Sequence, residues 1–118
     1  MTTQYGPEAR LTDVIAEVRA EHPRAVVVIV PAADSQAASL TLFADAFELP
    51  DWFGDNLDAL EESLRDAVIA LGRPVALVWD RVGALSDRDP HAAAAITDVL
   101  TDVSAQVPDL SVTVLNRR

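Results

Sequence analysis

Three carboxylate side chains recur at helical spacing near the middle of the chain. Asp58, Glu62 and Asp66 follow one another at intervals of four residues, so on a helix they fall within about 80° of one another. Such a stripe can bind the cationic groups of a partner, and two of its carboxylates can also hold Mg²⁺ or act as acid and base. Like charges at this spacing destabilise their own helix by about 0.2–0.5 kcal/mol per pair. The stripe therefore favours a use outside its own helix.

The segment before these acids places an aromatic side chain in a turn. Trp52 follows Pro50 by two residues and lies among acidic residues. A tryptophan in such a position is typical of an interface anchor, and packing back onto the core is the alternative. Gly54 allows a positive φ in the turn, and either Asp55 or Asn56 caps the helix that follows.

The net charge of the chain indicates which class of macromolecule it binds. The chain carries a formal charge of −10 at neutral pH, and residues 45–66 hold eight acids and one arginine, a net of −7. Such a surface repels nucleic acid and anionic lipid and attracts basic proteins. The chain has no cysteine, which excludes disulfides, thiol catalysis and thiolate metal sites. It has no apolar run long enough to span a membrane and a polar N-terminus, so we expect no secretory signal and a cytoplasmic location.

An enzymatic function has little support in the sequence. The two histidines, His22 and His91, each lie beside a proline at a helix end, where an exposed or capping role is usual. The four glycines are scattered and form no phosphate-binding loop. Asp58 and Glu62 are expected on an open helix face without a pocket, which disfavours a metal or acid–base site there. We therefore expect no catalytic residue, no metal and no cofactor.

Hydrophobic periodicity predicts alternating helices and strands in a single domain spanning residues 1–118. Apolar residues at helical spacing indicate helices at about 8–21, 37–48, 57–71 and 90–107. Continuous apolar runs indicate a strand at 25–30 that is buried on both faces and a second buried strand at 74–79. A third strand is predicted at 111–115, and residues 51–56 and 81–89 are expected to be loops. Strands separated by helices predict an α/β fold with a three-stranded parallel sheet flanked by helices.

One segment resembles a known family. Residues 49–60, with the sequence LPDWFGDNLDAL, are similar to the hallmark segment of the barstar family of ribonuclease inhibitors. In that family a proline, two aromatics, a glycine and an asparagine lead into an Asp-Ala-Leu helix. The order of elements over 25–115 and the sequence Val78-Trp79-Asp80 also fit the family. The resemblance implies a barstar-like core at 25–115, with residues 1–24 as an N-terminal extension that carries an extra helix.

The resemblance also implies a mechanism and a set of binding residues. Members of the family push this loop and helix into a ribonuclease active site, where their acids stand in for RNA phosphates. By position, Asp58 matches the first helix aspartate, Glu62 the strongest acidic contact, and Trp52 the aromatic that packs on the catalytic histidine. The partner-binding residues expected on this basis, together with the rest of the stripe, are Trp52, Gly54, Asp55, Asn56, Asp58, Glu61, Glu62, Arg65, Asp66 and Asp102. The implied partner is a basic ribonuclease, bound 1:1.

Three residues depart from the family pattern. Glu62 is one methylene longer than the usual aspartate, and Glu61 stands where the family has an aromatic. Arg65 lies on the contact face, where it either opposes a basic partner or organises Glu61 and Glu62. These departures suggest a nuclease different from barnase. An immunity protein for a toxin DNase, or a binder of some other basic protein, is the alternative function.

Overall fold

A computed structural model describes residues 2–49 and 56–118 as an α/β fold built on a parallel sheet. The elements in chain order are β1 (Thr2–Tyr5), α1 (Leu11–Glu21), β2 (Val26–Pro31), α2 (Gln36–Ala46), α3 (Leu57–Leu71), β3 (Val75–Asp80), α4 (Val82–Arg88), α5 (Pro90–Gln106) and β4 (Leu110–Leu115). The four strands form one sheet in the order β1-β4-β3-β2. The predicted fold class is therefore confirmed, and every predicted helix and strand is present, α3 with the predicted limits and the others with ends shifted by a few residues at most.

The expected count of three strands is wrong because β1 adds a fourth. Its sequence, TTQY, has neither an apolar run nor a clean alternation, so periodicity gives no signal for it. The strand forms by pairing in parallel with β4, from Thr2 opposite Val112 to Tyr5 opposite Leu115. Pairing of this kind depends on backbone groups of a distant segment, which a local pattern does not reveal.

The helix predicted near the N-terminus covers one face of the sheet. Val14 and Val18 of α1 are buried against Ala76 and Val78 of β3 and Leu115 of β4. The Tyr5 hydroxyl donates a 2.5 Å hydrogen bond to Glu17, which joins β1 to α1 and raises the pKa of the tyrosine. The other helices pack on the opposite face, around a larger core that contains Phe43, Leu64, Trp79 and Leu100. The site helix α3 therefore lies on the face away from α1.

The expectation that the strand at 25–30 is buried on both faces is wrong for β2. Every residue of β3 is buried, whereas β2 is the edge strand beyond it, and Ile29 is 41% exposed. An apolar run predicts that the faces of a strand are covered by other elements. It does not predict whether a neighbouring strand pairs with each of its two edges.

The segment 81–89, expected to be a loop, contains the short helix α4. The helix follows Arg81, which has a φ of 61°, and it buries Val82 and Leu85. Gly83 is required there because a Cβ at that position would lie 2.3 Å from the backbone oxygen of Asn116. The helix is thus fitted against the C-terminal tail, which supplies a contact that local sequence cannot show.

Charged side chains link the C-terminal tail to the end of β3 and to α4. Asp80 is 3% exposed, and its carboxylate accepts hydrogen bonds from the backbone N–H of Arg81 at 2.8 Å and from two guanidinium nitrogens of Arg117, each at 2.7 Å. Arg118 donates to Asp87 on α4 at 2.5 Å, which lowers the pKa of that carboxyl. We call Asp80, Asp87, Arg117 and Arg118 the C-terminal clamp.

Candidate protein-binding site

The helix α3 positions the acidic stripe, and its ends are well defined by side-chain and backbone geometry. The Asn56 side chain accepts a 2.8 Å hydrogen bond from the backbone N–H of Ala59. Of the two caps that the sequence allowed, Asn56 is therefore the one that caps the first turn. The helix ends at Gly72, whose φ of 64° suits a left-handed C-cap. Both ends match the limits predicted from the sequence.

The two faces of α3 have opposite character. Leu60, Leu64 and Val68 are fully buried in the core. Asp58, Glu62 and Asp66 are exposed on the other side, and we call these three residues the acidic face. Within residues 2–49 and 56–118 none of their carboxylates takes part in an ion pair or hydrogen bond. The negative charge of the acidic face is therefore available to a partner.

Arg65 is drawn to the flank of the acidic face. Its guanidinium donates a 3.0 Å hydrogen bond to the Oε1 atom of Gln106 on α5, and the Nε2 atom of Gln106 donates a 3.4 Å hydrogen bond to Glu61. Both Arg65 and Glu61 are half-buried. Of the two roles open for Arg65, the arrangement favours organising a neighbour, and that neighbour is Glu61, reached through Gln106. In the described part of the chain Arg65 makes no ion pair with Glu62.

Asp102 lies on α5, close to this bridge. It is exposed and precedes Gln106 by four residues, which places the two side chains on the same side of the helix, one turn apart. Because Gln106 reaches α3, Asp102 lies near the border between the two helices. Three other expected site residues, Trp52, Gly54 and Asp55, lie outside the described residues.

A groove beside the acidic face was missed by sequence reasoning, which expected no pocket there. It has a volume of about 630 Å³ and is formed by β2, the end of α2, the turn after it, and α3. Its lining residues are Val26, Val28, Asp45, Ala46, Phe47, Glu48, Leu49, Ser63, Asp66, Ala67, Ala70 and Leu71. The small side chains at 46, 67 and 70 were the available signal, but alanines on a helix also read as good helix formers.

The described residues offer no evident metal centre or membrane segment. Over 2–49 and 56–118, no group of three or more His, Asp or Glu side chains is close enough to hold a metal ion. In the same ranges no helix combines the length and apolar character that crossing a bilayer requires. What the geometry offers instead is an exposed helix face of unpaired carboxylates, suited to bind cationic groups of a protein.

Comparison with known proteins agrees with this geometry. A family model described as "Barstar (barnase inhibitor)" matches residues 24–115, which is most of the chain and includes α3 and α5. The chain belongs to the barstar family. By that description, members of the barstar family are inhibitors rather than enzymes, and their partner is a ribonuclease. A search of curated proteins gave no match. The match begins at residue 24, so β1 and α1 lie outside the part shared with the barstar family.

Proposed function

We propose that this protein inhibits a basic ribonuclease by binding its active site through α3 and the loop before it, without catalysis of its own. The observation that supports this function is the acidic face, whose three carboxylates are exposed and unpaired within the described residues. A ribonuclease active site holds cationic groups for RNA phosphates, and carboxylates on a rigid helix can take the place of those phosphates.

The expected contacts divide into acidic contacts and one apolar contact. Asp58 and Glu62 are proposed as the central contacts, with Asp66 and Asp102 toward the rim. Trp52 is proposed as the apolar anchor, supported by Gly54, Asp55 and Asn56 in the loop. The bridge from Glu61 through Gln106 to Arg65 holds the positive charge of Arg65 at the flank, which leaves the acidic face itself uniformly negative. We expect a 1:1 complex in the cytoplasm.

Charge also predicts how the complex forms. Complementary fields raise the rate of association, and salt screens them over a distance that shrinks to a few ångströms at high ionic strength. The barnase–barstar pair is itself the standard example of this steering. The same physics is expected here because residues 45–66 carry a net charge of −7.

The test measures inhibition of barnase and of other basic ribonucleases, and then the association rate in stopped flow for the one inhibited most strongly, between about 0.05 and about 0.5 M salt. We expect inhibition of RNA cleavage and an association rate that falls steeply with salt. Asp109→Ala is the matched control, since Asp109 is exposed and lies far from α3 in sequence. An association rate that does not change with salt would contradict an electrostatic interface. Inhibition of a DNase without inhibition of a ribonuclease would favour the alternative of a DNase immunity protein.

A further inference from the structure

The groove beside the acidic face combines an apolar interior with an acidic rim. Val26, Val28 and Leu71 form apolar walls, and Leu71 is 50% exposed. Asp45, Glu48 and Asp66 are exposed residues that also line the groove, and none of its lining residues in the described chain is basic. Its volume of about 630 Å³ is in the range of ordinary ligand sites.

Two of the rim acids occupy positions that are unfavourable for their own fold. Asp45 is in the last turn of α2 and Glu48 lies two residues beyond the end of that helix, just after its cap at Phe47, where the helix dipole disfavours negative charge. Glu48 also has a φ of 52°, a conformation that favours glycine. The turn is closed by a 2.9 Å hydrogen bond from the backbone N–H of Leu49 to the carbonyl of Ala44. Neither acid therefore stabilises α2 at its position.

The α3 wall of the groove contains a polar group without a partner. Ser63 is 5% exposed, and within the described residues its hydroxyl makes no hydrogen bond. A buried hydroxyl without a hydrogen bond is unfavourable. Because Ser63 also lines the groove, an occupant of the groove is a candidate partner for this hydroxyl.

We propose that this groove is a second anchoring site for the ribonuclease partner, and that it takes a basic segment of that partner in which an apolar side chain lies between arginines or lysines. The apolar side chain packs on Val26, Val28 and Leu71, and the flanking cations pair with Asp45, Glu48 and Asp66. Asp66 belongs to both the acidic face and the groove, so one partner can cover the two surfaces together. The identity of the partner rests on the proposed function. Whether the groove binds a basic and apolar segment can be tested separately.

The direct test titrates the full-length protein with the peptide Arg-Leu-Leu-Arg, blocked at both ends, to about 5 mM, a range suited to such short ligands. Backbone amide signals of Ala67 and Ala70 are followed by NMR. We expect them to shift with this peptide, but not with Arg-Ser-Ser-Arg or Glu-Leu-Leu-Glu. The shift of Ala67 should be lost in Ala70→Trp, which fills the groove from an exposed helix position, and the shifts of both alanines should be lost in the isosteric double variant Asp45→Asn/Glu48→Gln. No shift at Ala67 and Ala70, or equal shifts with all three peptides, would overturn the proposal.

The second test measures how strongly the same variants inhibit the basic ribonuclease that wild type inhibits best. Ala70→Trp should weaken inhibition by at least about tenfold, whereas Ala16→Trp, at an exposed position on α1 across the sheet, should not. If wild type inhibits and Ala70→Trp inhibits equally well, the groove is not an anchor and the proposed function stands. If wild type inhibits none of the basic ribonucleases tested, the proposed function fails and the groove loses its assigned partner, whatever the peptides show. A dimer that Ala70→Trp converts to a monomer would show a second copy of the chain in the groove and overturn the proposal.

Discussion

The acidic face and the C-terminal clamp both carry carboxylates, but they use them in opposite ways. In the clamp, Asp80 is buried and receives three hydrogen bonds from Arg81 and Arg117. On the acidic face, Asp58, Glu62 and Asp66 are exposed and make no ion pair within the described residues. The difference indicates that the carboxylates of the clamp stabilise the fold, while those of the acidic face are held at a small cost and remain open to a partner.

Breaking the clamp should give the largest loss of stability. Arg117→Ala leaves the buried carboxylate of Asp80 without its cation, and stranding one partner of a buried pair typically costs about 3–5 kcal/mol. Because Arg117 is 29% exposed, we expect a value near the lower end, about 3 kcal/mol, in the free energy of unfolding from urea denaturation. Affinity for the nuclease, measured on the folded fraction, should not change. Equal stability of wild type and variant would show that the clamp is not structural.

Neutralising the acidic face should give the reverse result. Asp58→Ala and Glu62→Ala each remove a carboxylate that is expected to face cations with water excluded, a loss that typically amounts to about 2–5 kcal/mol. Each variant should therefore bind the nuclease at least about 30-fold more weakly. The melting temperature should hold or rise slightly, because removal of a like-charge pair relieves a few tenths of a kcal/mol.

The controls for the acidic face separate charge from contact area. Trp52→Ala should weaken binding while leaving its salt dependence nearly unchanged, since it removes no charge. Asp109→Ala should have almost no effect on affinity. If the Asp58 and Glu62 variants bind like wild type while Asp109→Ala binds poorly, the acidic face is only a solvated surface.

A substitution on the far side of the sheet sharpens the distinction between stability and binding. Val18→Ala removes buried methyl groups between α1 and the sheet, far from α3, and should cost about 1–2 kcal/mol of unfolding free energy. Nuclease affinity should not change. If calorimetry shows that affinity falls together with stability, α1 contributes to the interface. In that case a loss of affinity would not be enough to assign a residue to the interface formed by the acidic face.

The smallest effect is expected from the exposed pair of the clamp, and it depends on pH. The hydrogen bond from Arg118 lowers the pKa of Asp87 below its ordinary value of 3.8. A carboxyl with a lowered folded pKa stabilises the protein above its unfolded pKa, and this contribution disappears as the pH falls through the folded pKa. Thermal melts of wild type and Asp87→Asn should therefore differ slightly at pH 7 and converge below pH 3.8. A difference that persists unchanged at lower pH would assign the effect to packing rather than charge.

Sequence reasoning succeeded where the signal lies within one element or one short segment. The four-residue spacing of Asp58, Glu62 and Asp66 predicted their common face. A cap at residue 55 or 56 and Gly72 predicted the ends of α3, and the structure selected Asn56 as the cap. The segment at 49–60 indicated the barstar family, which the match over 24–115 confirms. Each of these features depends on residues that are close in sequence, so their types and intervals suffice.

Tertiary structure decided whatever depends on segments that are distant in sequence. Only pairing with β4 makes residues 2–5 a strand, and only the order of the sheet places β2 at an edge. Arg65 finds its partner Gln106 across 41 positions of sequence, and the groove needs β2, the end of α2 and α3 together. The amino-acid sequence by itself determined the acidic face, because residues four positions apart in a helix lie on the same side of it. It did not determine the surroundings of that face, because those depend on which backbones meet when the sheet assembles.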